Sequence, residues 1–283
     1  MLINRMRFDG APFECKLEVG TGPSRRMFMR KFVETLGFTL LALMLLAAPA
    51  AAQGMMSGLD LTSPRMTEAE MSRAEVEALL SQATPDKPAD LNRKALNGLD
   101  LSGLNFDGAD MTSAYLNGTD LSDASLVGAK LDQAWGLKAV FTNANLSGAN
   151  LFQAQMIDAQ FDGADLSGAR LASDFTRASM VGANMSGADF SADMRNQSMG
   201  MMRGVLNSAD LTGADFSGAN LSRAAGEFAN FTDANFEGAD MRRIEAAGAR
   251  FDGANLDGAD FADADLQSAK LDKAKGTAKN LER

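Results

Sequence analysis

The sequence predicts an all-β solenoid preceded by one α-helix, and three observations support this prediction. A large apolar residue stands at almost every fifth position between about residues 91 and 271, with Gly136 and Gly226 among the exceptions. An alanine precedes most of these residues by two positions. Glycine, asparagine, aspartate and serine fill the remaining positions, and these residue types favour tight turns.

A five-residue period fits neither an α-helix nor a β-strand, whose side chains repeat every 3.6 and 2 residues. We therefore expect one large and one small residue of each repeat to face inward and the other three to face outward. The chain would turn in the same sense after each short extended piece and climb as a solenoid. Alanine suits the second inward position, because large and small side chains can alternate in a narrow interior.

The repeated pattern A-[DN]-[LF]-x-x resembles the pentapeptide-repeat family, as in the segments SGANLFQAQMIDAQFDGADLSGARL and SADLTGADFSGANLSRA. The resemblance covers residues 89–275 and implies a right-handed quadrilateral β-helix with four repeats in each coil. About nine coils at a strand spacing of ~4.8 Å would make a rod on the order of 43 Å long. The resemblance implies much less about activity, because a fold does not fix a function.

Residues 1–52 are predicted to be an export signal. The segment Ser24–Met29 resembles a twin-arginine signal, and an apolar run from Leu36 to Ala48 follows it. The small residues that come next predict cleavage near Ala52/Gln53 and a periplasmic product. The apolar run is too short to span a membrane comfortably, so no membrane span is expected after cleavage. The general secretory route, an uncleaved anchor and initiation at Met27 are alternatives.

Residues 53–88 are predicted to be a leader followed by a capping helix over about residues 67–83. Thr67 and Glu70 have the spacing of a capping box. Met71, Ala74, Ala78 and Leu79 fall on one face of the predicted helix. We expect this helix to cover the first coil, which would otherwise expose a sheet edge. A partner-binding helix is the alternative.

Residues 172–205 are predicted to form irregular coils. After Leu171 the apolar positions continue at Phe175, Met180, Met185, Phe190, Met194 and Met199, and the regular spacing returns at Leu206. These spacings predict seven repeats with Met194 and Met199 in the core. The same segment carries Arg195 and Arg203, and an insertion in a solenoid often lies on its binding face. Elsewhere, Ile244 and Ala246 exchange the large and small positions, which predicts conserved core volume.

The methionines of this segment also suggest a metal site. Met194, Met199, Met201 and Met202 could offer thioether sulfur atoms, which are soft ligands suited to Cu(I). Packing is the stronger interpretation, because methionine adapts well to irregular cores. We therefore predict no cofactor and keep periplasmic copper binding as an alternative.

An apolar patch is predicted on the outside of the solenoid. Tyr115 and Trp135 are twenty residues apart in the same outward position, and so are Leu137 and Ile157. Val140 and Phe152 occupy nearby outward positions that are elsewhere polar. An apolar patch on a polar surface often marks a contact, so these six residues, together with Arg195 and Arg203, are candidate partner-binding residues. The alternative is that the amino-terminal helix or leader covers the patch.

The composition argues against catalysis. The chain has no histidine, and its one cysteine, Cys15, lies in the predicted signal. This composition removes the usual general base, imidazole ligands and thiol chemistry from the mature chain. The aspartates recur at every turn, so none stands out as a catalytic pair. We predict that the protein is not an enzyme.

The remaining function classes are binding functions. The leading prediction is an exported scaffold that binds an unidentified protein of the cell envelope. The net charge of −10 argues against direct binding to nucleic acid. Some members of the similar family mimic DNA and bind a type II topoisomerase, which is an alternative if the protein is cytoplasmic. The tail, residues 276–283, lacks the apolar repeat, and an uncovered last coil would allow a homodimer.

Overall fold

The computed structural model describes residues 60–194 and 202–281. The predicted signal peptide therefore lies outside the described residues. The unit that begins at Asp60 consists of two short helices followed by nine coils. Neither helix in the described ranges is long and apolar enough to cross a membrane.

The coils are held together by parallel bridges between single residues, which recur at every fifth position from Asp90↔Asp110 to Asp260↔Lys279. Most bridges join residues twenty apart, so each coil has four faces, and the predicted quadrilateral arrangement is present. Face 1 contains Asp90, Asp110, Lys130, Asn150, Arg170, Asp189, Asn220, Asp240, Asp260 and Lys279; face 2 contains Ala95, Tyr115, Trp135, Gln155, Asp174, Val205, Ala225, Glu245 and Asp265. Face 3 contains Asp100, Asp120, Val140, Gln160, Ser179, Asp210, Asn230, Arg250 and Lys270; face 4 contains Asn105, Ser125, Asn145, Asp165, Asn184, Asp215, Asn235, Asn255 and Lys275.

The repeat sequence explains each corner between two faces. Asn145 shows the pattern: its Oδ1 accepts a hydrogen bond from the N–H of Ser147 at 3.0 Å, which starts the turn. Gly148 then adopts a positive φ of 63°, a conformation that costs glycine little. The N–H of Ala149 donates to the carbonyl of Leu146 at 3.0 Å and closes the turn. Aspartate or asparagine at the bridge position and glycine in the corner thus form the same turn together.

The core is a stack of the large and small inward residues. The rings of Phe141 and Phe161 stack with centroids 4.6 Å apart, and those of Phe216 and Phe236 are 4.9 Å apart. The predicted exchange is confirmed, because Ile244 and Ala246 are both fully buried. Where the large residue is missing, a neighbour fills the space: a Cβ on Gly136 would lie 2.6 Å from the sulfur of Met156.

The amino-terminal cap differs from the predicted single helix. Helix α1 covers Pro64–Thr67 and helix α2 covers Arg73–Leu80. The chain is extended between them, because Ala69 pairs with Leu96 of the first coil. The capping box is formed by Ser72 and Glu75, so the prediction of Thr67 and Glu70 was wrong.

The buried face of the cap also differs in part from the prediction. Val76 of α2 is fully buried and belongs to the same apolar cluster as the coils. Met71 and Leu79 are half-buried against that cluster, whereas Ala74 and Ala78 are exposed. The helix therefore covers the first coil as expected, with a register that places Val76 at the centre of the contact.

The irregular segment consists of one short coil and one long coil. The coil from Arg170 to Asp189 lacks one residue, and the next, from Asp189 to Asn220, contains an insertion between Phe190 and Gly204. Met180 and Met185 are buried as predicted. Met194 is 47% exposed, so its assignment to the core was wrong. Five repeats, instead of the predicted seven, lead from Leu171 to Leu206 in the solenoid, because the chain leaves the solenoid after Phe190.

The insertion is closed at its base by two contacts. The N–H of Asp193 donates to the carbonyl of Met202 at 2.8 Å, and the N–H of Gly204 donates to the carbonyl of Phe190 at 2.8 Å. A Cβ on Gly204 would lie 2.7 Å from the ring of Phe190. Glycine is therefore required where the chain rejoins the core.

Candidate partner-binding side

Tyr115 and Trp135 lie on consecutive coils of face 2, as the twenty-residue spacing predicts. The N–H of Leu116 donates to the carbonyl of Trp135 at 2.6 Å, which fixes the two coils against each other. Both aromatic side chains are half-buried. Leu137 is half-buried and Ile157 is buried, and both lie on the adjoining corner between faces 2 and 3. These four residues form one continuous part of the predicted patch.

Val140 and Phe152 lie apart from this group. Val140 belongs to face 3, beyond the corner that carries Leu137. Phe152 lies on the corner between faces 1 and 2, and the guanidinium of Arg170 sits 4.2 Å from the centre of its ring. An arginine over an aromatic ring is a favourable cation–π contact. One face of the Phe152 ring is therefore covered by the protein itself.

The segment before α2 covers face 2 at the first two coils. The guanidinium of Arg65 lies 4.9 Å from the ring centre of Tyr115. The side-chain amide of Asn97 donates to the carbonyls of Arg65 and Glu68, at 3.0 and 2.9 Å. The amide of Asn117 donates to the carbonyl of Met66 at 3.0 Å. The amino-terminal segment thus covers Tyr115, in agreement with the alternative that it folds over the patch.

Arg203 is held in an ion pair that spans two coils. Its guanidinium donates to both carboxylate oxygens of Glu245, at 2.7 and 2.6 Å, and to the carbonyl of Arg223 at 3.1 Å. Its side chain is only 17% exposed. These hydrogen bonds hold the pKa of Glu245 below its ordinary value. Arg203 therefore anchors the returning end of the insertion to face 2, and Arg195 lies outside the described residues.

The methionines proposed as thioether ligands are only partly described. Met194 is largely exposed and Met202 is half-buried, whereas Met199 and Met201 lie outside the described residues. Among residues 60–194 and 202–281, no cluster of acidic, histidine or cysteine side chains has the arrangement of a metal site. Copper binding through these methionines stays a prediction from the sequence.

Phe228 is an outward aromatic residue that the sequence analysis missed. Its side chain is 69% exposed, and its backbone has a φ of +58°. Positive φ is rare for a bulky residue and indicates strain. The ring lies over Gly248, where a Cβ would approach it to 2.6 Å. Phe228 occupies the same corner as Leu137 and Ile157. In the other described coils, glycine or a polar residue fills the position that Phe228 holds. The sequence could have revealed Phe228 as an outward aromatic residue through this departure from the repeat.

We call face 2 and its two adjoining corners the aromatic side. It carries Tyr115, Trp135, Phe152 and Phe228, and every other aromatic residue of the described coils is in the core. Eight basic residues balance eight acidic residues on this side of the described coils. The basic residues are Arg93, Lys94, Lys138, Arg177, Arg203, Arg223, Arg242 and Arg243, and the acidic residues are Asp132, Asp158, Asp174, Asp193, Glu227, Glu245, Asp263 and Asp265.

We call face 4 and its two adjoining corners the acidic side. Ten acidic residues lie there among the described residues, against two lysines. The acidic residues are Asp107, Asp123, Asp162, Asp165, Asp215, Asp233, Glu237, Asp252, Asp257 and Asp272, and the lysines are Lys273 and Lys275. The negative charge of the described coils is therefore concentrated on the side opposite their outward aromatic residues.

Comparison with solved structures finds other repeat proteins of this kind. HetL, a pentapeptide repeat protein involved in heterocyst differentiation regulation in Nostoc sp. strain PCC 7120, is 25% identical over 73% of this chain and 95% of its own, with a TM-score of 0.32. QnrB1, a plasmid-mediated fluoroquinolone resistance protein, is 18% identical over 64% of this chain and 89% of its own, with a TM-score of 0.45. A pentapeptide repeat protein of the Arabidopsis thaliana thylakoid lumen is 26% identical over 46% and 66%, with a TM-score of 0.19.

The family model gives the decisive comparison. No curated protein matches the sequence. The model described as pentapeptide repeats matches residues 89–134, 138–171, 172–191, 206–244 and 247–275, which is more than half of the chain. The matched segments coincide with the bridged coils, and the gap at 192–205 coincides with the insertion. The chain therefore belongs to the pentapeptide-repeat family, whose fold is a right-handed β-helix.

Proposed function

We propose that the protein is an exported, non-catalytic scaffold that binds a protein of the cell envelope through its aromatic side. The observation that carries the proposal is the placement of the four outward aromatic residues of the described coils on one side, where the described charges balance. The cores of protein interfaces are enriched in aromatic residues and arginine, and six of the eight basic residues on this side are arginines. The opposite side offers mostly carboxylates, a residue type depleted in the cores of protein interfaces.

Trp135 and Phe228 are the expected anchors of the interface. Tyr115 is covered by Arg65, and Phe152 is covered on one side by Arg170. Phe228 is exposed, and one side of its ring lies over Gly248. A rigid aromatic ring loses little conformational entropy on binding, which makes it an efficient contact.

Photo-crosslinking tests the docking side. A benzoylphenylalanine residue would be placed at Trp135 or Phe228 on the aromatic side, and at Ser147 or Glu237 on the acidic side as matched controls. We expect irradiation of intact cells to give a discrete crosslinked protein from the first two positions only. Equal yields from both sides, or yields from the acidic side alone, would contradict the assignment.

Fractionation tests the export. The wild type and an Arg25→Lys/Arg26→Lys variant would be fractionated, and the mass of the amino terminus determined. We expect a periplasmic product that begins near Gln53 in the wild type and is lost in the variant. A periplasmic product from both chains would indicate the general secretory route. A full-length cytoplasmic product would remove the envelope assignment.

A second candidate function is mimicry of DNA for a type II topoisomerase. The acidic side favours it, because ten carboxylates and only two lysines lie there. The test is a supercoiling assay with a type II topoisomerase, comparing the wild type with an Asp162→Asn/Asp215→Asn/Asp233→Asn variant. Inhibition that is lost in the variant would support mimicry, and no inhibition by the wild type would remove it.

We also propose that the last coil allows a homodimer. Leu266 and Leu271 occupy inward positions of this coil and are half-exposed, whereas the equivalent residues of the inner coils are buried. Sedimentation velocity would test this proposal by comparing the wild type with Leu271→Glu. A dimer that becomes a monomer in the variant would support it, and a monomeric wild type at high concentration would refute it.

A further inference from the structure

The amino-terminal cap closes the edge of the first coil on two of its faces. On face 2, the N–H of Glu70 donates to the carbonyl of Ala95 at 2.8 Å. On face 3, the guanidinium of Arg73 donates to the carbonyls of Asp100 and Ser102, at 2.9 and 3.1 Å. These groups replace the hydrogen bonds that a preceding coil would make.

The edge on face 4 is left open at Asn105. In the next coil, the N–H of Ser125 donates to the carbonyl of Leu104 at 2.9 Å, and the carbonyl of Ser125 accepts from the N–H of Phe106 at 2.6 Å. Neither the N–H nor the carbonyl of Asn105 has a partner in the described ranges 60–194 and 202–281. Asn105 is exposed, so both groups are available to another chain. An open strand edge is a template for pairing with an extended segment.

A groove lies beside this open edge. One wall is formed by the end of α2 and the turn after it, including Leu80, Ala83 and Pro85. Leu104 and Phe106 of the first coil form much of the other wall. The groove has a volume of about 780 Å³. This volume is within the range of sites that bury a ligand side chain or a small molecule.

The charge of the groove is negative. Glu77 and Asp107 are the charged residues among those that line it, and because Glu77 is paired with Arg73 at 2.8 Å, Asp107 carries the negative charge. Position 104, an inward position that elsewhere in the repeat usually holds alanine, is a half-buried leucine. The groove thus combines an apolar surface, the carboxylate of Asp107 and a pair of unpaired backbone groups.

We propose that this groove binds an extended basic peptide, which adds a strand to the first coil at Asn105. The peptide backbone would accept from the N–H of Asn105 and donate to its carbonyl, as in other cases of strand addition. An apolar side chain of the peptide would pack against Leu80 and Leu104, and a flanking basic side chain would face Asp107. This site lies at the first coil on the acidic side and is separate from the aromatic side of the proposed function.

Binding of synthetic peptides to the purified full chain tests the proposal. The first probe is a fluorescein-labelled heptapeptide of sequence Lys-Val-Lys-Leu-Lys-Val-Lys, followed by fluorescence polarisation. Two further peptides have the same sequence but carry N-methyl groups on alternate residues, one set on each edge of the strand. N-methylation removes hydrogen-bond donors without changing the charge, so it separates strand pairing from simple attraction to an acidic protein. A Glu-Val-Glu-Leu-Glu-Val-Glu peptide tests the charge.

We expect the first peptide to bind saturably, and one of the two methylated peptides to bind at least tenfold more weakly while the other retains its affinity. The acidic peptide should also bind at least tenfold more weakly. Ser81→Trp at the rim of the groove should weaken binding, whereas Ser147→Trp, on the same side two coils further along, should not. In hydrogen-exchange measurements, the amide of Asn105 should become protected when the peptide is added.

Three outcomes would overturn the proposal. The first is no saturable binding of the basic peptide, and the second is equal binding of both methylated peptides and the parent. The third is an amide of Asn105 that is protected before peptide is added, which would mean that the edge is already occupied by this chain or by a second copy. Failure here leaves the crosslinking test of the aromatic side unaffected, because the two sites share no residue.

Discussion

Replacement of Phe228 by asparagine tests whether this ring serves binding or stability. With 69% of the side chain exposed, about 30% of its area is covered by the protein. For a side chain of roughly 200 Å², this covered area is roughly 60 Å². Its removal would cost up to about 1.5 kcal/mol at ~25 cal/mol per Å². Asparagine tolerates positive φ better than a bulky residue, which returns about 1 kcal/mol.

The two contributions nearly cancel, so we expect Phe228→Asn to change the free energy of unfolding by less than about 1 kcal/mol. The matched control is Phe231→Ala, which truncates a fully buried ring and should cost about 3–5 kcal/mol. Urea denaturation can be followed by circular dichroism and by the fluorescence of Trp135, the one tryptophan of the chain.

The same variant should lose the envelope crosslink formed from Trp135 while it keeps its stability. A loss of more than about 2 kcal/mol in Phe228→Asn would refute the reasoning, because it would show that the ring is a structural element. An unchanged stability with an unchanged crosslink would show that Phe228 is not an anchor.

Three further predictions concern stability. Gly204→Ala should cost about 1–3 kcal/mol in urea denaturation through its clash with the core, and more than Gly226→Ala, which likewise has no positive φ and whose Cβ would come no closer than 3.4 Å to the ring of Phe231; equal costs would contradict the role of the contact. The pKa of Glu245 is lowered by the hydrogen bonds from Arg203, so the pair stabilises the fold above the ordinary pKa of 4.5 and stops doing so as the pH falls through the lowered value. Arg203→Gln should therefore cost about 1 kcal/mol at pH 7 and progressively less as the pH falls through the lowered pKa of Glu245, whereas a cost independent of pH would refute the pairing. Burial raises the pKa of Asp132 above its ordinary 3.8, so its ionised form destabilises the fold at neutral pH; Asp132→Asn should raise the unfolding temperature at pH 7, with a gain that disappears below pH 3.8.

The sequence predicted the solenoid because its signal is local and repeated. The bridge between Tyr115 and Trp135 follows from the twenty-residue coil alone. The burial of both Ile244 and Ala246 follows from counting large and small inward positions. Each of these predictions uses one coil and its neighbours, and every coil supplies the same information again.

The failures occur where the periodic rule stops. Met194 has the correct spacing for a core position, yet it is exposed because the chain leaves the solenoid after Phe190. Spacing alone cannot distinguish an irregular coil from an insertion whose length is a near multiple of five. The cap failed for a related reason: Ala69 pairs with Leu96, and this tertiary contact overrides the local helical pattern.

The candidate site was only partly accessible to sequence reasoning. The spacing brought Tyr115, Trp135, Leu137 and Ile157 together, but it could not show that Arg65 covers Tyr115 or that Arg203 is engaged by Glu245. These contacts join residues far apart in the sequence and depend on side-chain conformations that the repeat does not specify.

The four-faced coil has a consequence for how the surface of this protein can evolve. Loss or duplication of twenty residues in the regular coils would shorten or lengthen the solenoid and leave every later side chain on its original face. A change of five residues would instead rotate everything beyond it by a quarter of a turn. Such a change between Trp135 and Phe228 would keep the core pattern intact and yet carry Phe228 to a neighbouring corner. Insertion or deletion of one or a few repeats can therefore change which outward residues share a face, with almost no cost to the interior.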